Sequence, residues 1–88
     1  MHLALQNAET INCLVEQGEL LLTNFHDEYE KDPAGVETEF ARGKLIGWRS
    51  TLRTLYREYS DDIVSRVVTR TRLSFPDAEL RSGVIHVV

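Results

Sequence analysis

The sequence predicts a mainly α-helical fold: an antiparallel two-helix hairpin over about 6–31 and 35–59, a short third helix over about 61–72, and an extended C-terminal tail. Three observations predict it. Apolar residues recur every three or four positions through two long segments, Asp32-Pro33-Ala34-Gly35 interrupts them once, and Ser60-Asp61-Asp62 offers a further helix start after them. With 88 residues the chain reads as a single domain over 1–88 that hides only roughly 60% of the surface its unfolded form exposes. Dimerisation is therefore expected to complete the fold.

In the first helix, Ala8, Ile11, Leu14, Val15, Gly18, Leu21, Leu22, Phe25 and Tyr29 fall in one sector of the wheel. Glu9, Glu16, Glu19, Asp27 and Glu30 gather opposite them as an acidic face. Cys13 is the only cysteine, so no internal disulfide can form, and a thiol in an apolar helical stretch is expected to pack in the core. Pro33 cannot continue the helix, and Asp32 is suited to cap the next one. So short a break folds the two helices back on each other.

The second helix carries the only tryptophan. Leu45, Trp48, Leu52, Leu55 and Tyr59 form one seam, with Trp48 expected against the small residue Gly18. Beside it runs a second uncharged strip, Val36, Phe40, Gly43, Gly47, Thr51 and Thr54, which widens the sector to roughly 200°, more than one neighbouring helix covers. Glycine inside a helix costs about 0.5–1 kcal/mol relative to alanine, so Gly43 and Gly47 imply close approach of another backbone. Val36, Phe40, Gly43, Gly47 and Thr51 are accordingly the expected dimer interface. Arg42, Arg49, Arg53 and Arg57 line the remaining face.

Ser60-Asp61-Asp62 reads as a helix start with acidic residues in its first turn. Residues 63–75 are ambiguous: the order Ile63, Val64, Val67, Val68 is helical, whereas β-branched content and alternation through Val67, Thr69, Thr71, Leu73 and Phe75 favour a strand. A helix to about Arg72 is the reading adopted. Pro76 to Arg81 is expected to add one turn, and the tail Gly83 to Val88 to dock on the helices or on a second subunit.

Charge is divided along the chain. Residues 1–40 hold nine acidic side chains against Lys31 alone, a balance of −8, while residues 41–88 hold nine basic against five acidic, a balance of +4. Attraction between antiparallel helices is the plain explanation; a pair of recognition surfaces is the sharper one. Glu9, Glu16, Glu19, Asp27, Glu30, Arg42, Arg49, Arg53 and Arg57 are the candidate partner-binding residues. With Arg66, Arg70 and Arg72, the arginines would also suit nucleic-acid phosphates.

His26, Asp27 and Glu30 lie within one helical turn but supply too few ligands for a metal site. No Ser-His-Asp pattern, phosphate loop or Cys-His arrangement appears, so no catalytic residue, cofactor or metal is assigned. Glu16-x-x-Glu19 and Glu58-x-x-Asp61 resemble the paired carboxylate motifs of all-α nucleotide pyrophosphohydrolases. That resemblance implies magnesium-dependent hydrolysis at these four positions. In general character the small acidic chain is similar to accessory proteins encoded by phages and other mobile elements. The expected function is a non-enzymatic, cytoplasmic protein-binding module that regulates or inhibits a larger intracellular machine, with nucleic-acid binding as the alternative and no membrane partner.

Overall fold

The computed structural model describes residues 2–76, with side chains from Asn7 onward. Three α-helices account for most of it: α1 (His2–Lys31), α2 (Val36–Leu55) and α3 (Ser60–Thr71), with one 3₁₀ turn, Arg57–Tyr59, between the last two. The mainly α fold is as expected. Paired contacts give the directions. Trp48 Nε1 donates to the Leu14 carbonyl and the Thr38 hydroxyl reaches the Glu28 carbonyl, so α2 runs antiparallel to α1. Val67 lies beside Gly18, Arg70 beside Glu19 and Ser74 beside His26, so α3 and the segment after it run parallel to α1. α1 is the spine; α2 and α3 both pack on it and touch each other far less.

Val15, Leu22 and Phe25 of α1, Ala41, Leu45, Trp48 and Leu52 of α2, and Ile63 and Val67 of α3 form one buried cluster. Gly18 is buried where all three helices meet. A Cβ there would collide with the Trp48 ring and lie 2.9 Å from Val67 Cγ2, so only glycine lets the indole enter. The expected Trp48–Gly18 contact is thus the centre of the core.

Several boundaries differ from expectation. α1 begins at His2 rather than near Gln6. α2 ends at Leu55, with Tyr56 at φ −130°, instead of continuing to Tyr59. Opposite this end of α2, Ala8 of α1 is exposed and Ile11 is partly buried against the core. Leu55, expected in the seam, is 68% exposed, and Tyr59 also lies at the surface. The break lets Ile63 return to the core.

Asp32 does not cap α2. The N-cap is Gly35, and Asp32 instead holds the turn: its carboxylate accepts from the Ala34 N–H at 3.3 Å and its carbonyl from the Gly35 N–H at 2.9 Å. Thr38 is buried, and its hydroxyl donates to the Asp32 carbonyl at 2.6 Å, close to the Glu28 carbonyl at 2.9 Å. One side chain ties both helix ends to the turn.

For 63–71 the helical alternative holds, since Ile63 and Val67 are fully buried one turn apart. Burial outweighs the modest β preference of valine and isoleucine. Arg72 then adopts φ 61°, the left-handed conformation that stops a helix, and its N–H donates to the Val68 carbonyl at 2.7 Å. The following residues lie back on the hairpin: the Ser74 carbonyl meets His26 Nε2 at 2.8 Å, and Phe75 stacks on Trp48 with ring centroids 6.0 Å apart. The expected turn from Pro76 to Arg81, beyond Pro76 itself, and the tail 83–88 lie outside the described residues.

Candidate protein-binding surfaces

Opposite the buried side of α1 runs a single row, Glu9, Cys13, Glu16, Leu20, Thr23, Asp27 and Glu30, spaced alternately four and three apart. Every member is exposed. Cys13 therefore does not pack in the core as expected; it lies on the polar side of the wheel, one step from Leu14. The four carboxylates of the row take part in no ion pair among the described residues. At its middle stands Leu20, 73% exposed, the one large apolar side chain of the row. Sequence reading passed over Leu20, although a leucine at a polar wheel position was the available signal.

Glu19 belongs elsewhere. It turns toward α3, where its Oε2 lies 2.8 Å from Arg70 Nε, off the line a hydrogen bond needs. This is the only ion pair joining the acidic first forty residues to the basic remainder across helices among the described residues. Glu28–Lys31, Glu39–Arg42 and Asp62–Arg66 are each local to one helix. Among the described residues, then, the opposite charges of the two halves meet across helices in one pair only.

The predicted arginine row is split. Arg42 is half-buried, paired with Glu39 and lying over the Phe25 ring at 5.3 Å; Arg49 lies over Phe75 at 5.2 Å. Both are fixed to aromatic faces. Arg53 is exposed on α2, and Arg57, displaced by the end of the helix, sits exposed on the 3₁₀ turn.

The other expected interface is open. Val36 is 82% exposed and Phe40 63%, and a Cβ on Gly43 or Gly47 would meet nothing within 4 Å. Thr51 is exposed too, its hydroxyl donating to the Gly47 carbonyl at 3.0 Å. This strip faces directly away from Leu45 and Leu52, where a helix ordinarily carries its charges.

Glu16, Glu19, Glu58 and Asp61 do not assemble: among the described residues no three His, Cys, Asp or Glu side chains come together to hold a metal ion. His26 is engaged with the Ser74 carbonyl, apart from any ligand cluster. No helix is long and apolar enough to cross a membrane among the described residues. Comparison with protein-family models, characterised proteins and solved structures finds no match to this chain.

Proposed function

We propose that the protein is a non-enzymatic, homodimeric binding module whose α1 outer face docks on a basic surface of a larger intracellular protein and thereby regulates or inhibits it. The observation that carries this reading is the row of uncompensated carboxylates with Leu20 at its centre. Carboxylates on a rigid helix steer a basic partner and set its register, while a single apolar side chain among them supplies contact area that water does not compete for. The uncharged α2 strip supports the homodimer, which would present two such rows. Cytoplasmic residence and a phage-like accessory role belong to the same reading and rest on the chain's size, acidity and lone cysteine.

The test is capture of partners by the tagged protein, followed by reconstitution of the binary complex from purified components. Leu20→Ala and the double change Glu16→Lys with Asp27→Lys should each weaken that complex at least about tenfold, the latter mainly through association rate. Their helicity should stay unchanged. If the purified protein instead binds duplex DNA or RNA at micromolar concentration, with affinity falling steeply as salt rises and lost in Arg53→Glu with Arg57→Glu, the nucleic-acid alternative replaces this reading.

A further inference from the structure

We infer that the partner copy sits on the outer face of α2 in an antiparallel register, its own α2 crossing at Gly43 and Gly47; the inference rests on the homodimer proposed above and specifies its geometry. Val36, Phe40, Gly43, Gly47, Ser50, Thr51 and Thr54 occupy about 100° of the wheel without one charge, centred on the side facing away from the core. Their sizes are unequally distributed. The large residues, Val36 and Phe40, stand in the first half, and the second half holds only Gly47, Ser50, Thr51 and Thr54.

A parallel pairing would set Phe40 against Phe40 and leave the small half facing itself across a gap. An antiparallel pairing centred between the glycines brings positions level when their numbers sum to about 90, so Gly43 faces the partner's Gly47 and Phe40 faces the partner's Ser50. Gly47, Ser50, Thr51 and Thr54 outline the four-residue hole that accepts one large side chain in knobs-into-holes packing. Phe40 is the matching knob, and Val36 falls level with the partner's Thr54. Lys44 Nζ rests over the Phe40 ring at 4.6 Å, yet the ring stays largely exposed.

Charge agrees with shape on the flank that carries Glu39 and Arg53; on the other flank the exposed Lys44 comes near the partner's Lys44, one solvent-screened repulsion against two attractions. Glu39 and Arg53 border the strip on the same flank, at opposite ends, and two-fold symmetry brings the same flank of each copy together. Glu39, already paired with Arg42, comes within about half a turn of the partner's Arg53, which has no ion pair of its own among the described residues. Opposed helix dipoles favour the same orientation. Alanine at both glycines would make α2 more helical, so a chain that kept this face in water would gain by losing them.

Sedimentation and cysteine cross-linking test the register. In a Cys13→Ser background, Gly43→Cys and Gly47→Cys chains mixed and oxidised should give mainly the mixed disulfide, because only unlike positions come within the roughly 4.4–6.8 Å Cα separation a disulfide spans. Arg53→Glu should weaken the dimer and Glu39→Arg added to it should restore it. Gly47→Leu should raise the dimer dissociation constant at least about tenfold while circular dichroism stays that of the native chain, since open space receives the side chain in the monomer. A dimer whose disulfides join 43 to 43 and 47 to 47 overturns the register alone. A monomer at about 10 μM overturns the register and the homodimer together, leaving the α1 docking face to be judged by the Leu20 variant.

Discussion

Trp48 meets Gly18 with almost no tolerance, and the two residues make opposite demands on any substitution. The indole shares the buried cluster with Val67, stacks on Phe75 and donates to the Leu14 carbonyl at 3.2 Å, so Trp48→Ala loosens α2 from α1, from α3 and from the segment after α3 at once. A loss of about 3–5 kcal/mol is expected, read as lost cooperativity in thermal or urea unfolding. Gly18→Ala is a smaller chemical change that lacks room, and should cost about 1–3 kcal/mol by displacing the indole. Arg72 offers the reverse case. A non-glycine residue at φ 61° is strained, so Arg72→Gly should raise stability by up to about 1 kcal/mol, checked as an increase in the denaturation midpoint without a change of slope. The Trp48–Gly18 contact was legible because wheel and size both pointed to it. Thr38 was not, since its burial follows from the path of the turn, which hydrophobic periodicity does not encode.

The helices differ in how fully their faces are used. α1 spends one side on the core and leaves an acidic row outside; α2 spends one side and leaves an uncharged one. That contrast is visible in the two helical wheels, and the structure adds which side is covered. The length of α2 was less legible: nothing in Leu55-Tyr56-Arg57 is a helix breaker, yet the helix ends there and the chain turns so that Ile63 enters the core. The choice between helix and strand in 63–71 likewise depended on whether α1 offered a second groove. Gly43→Ala with Gly47→Ala separates the isolated helix from its assembly. Each change should add about 0.5–1 kcal/mol to monomer stability through helix propensity, measured by unfolding below the dimer dissociation constant. The same pair of methyl groups should weaken self-association if the backbones approach closely. A double variant that is less stable as a monomer would show that an unseen contact already fills that space.

In the molecule as a whole, charge division and packing are nearly independent. The acidic first forty residues and the basic remainder meet across helices in a single described ion pair, Arg70–Glu19, whose side chains are 53% and 27% exposed and whose geometry is poor for a hydrogen bond. Such a pair contributes about 0.2–1 kcal/mol at most after solvent screening. The fold is therefore held by the buried cluster on α1, with electrostatic attraction a minor term, contrary to what opposite charge on the two halves first suggests. Raising sodium chloride from about 0.05 to 1 M shortens the screening length from above about 10 Å to about 3 Å, which removes interactions between exposed charges and leaves burial intact. Thermal stability should move by only a few degrees, and Arg70→Gln should lower it by no more than about 1 kcal/mol. Binding to a basic partner through Glu9, Glu16, Asp27 and Glu30 should show the opposite behaviour, with association slowing severalfold over the same range. Steep loss of thermal stability with salt would mean that attraction between the halves does hold the bundle together, and that the carboxylates of α1 serve the fold rather than a partner.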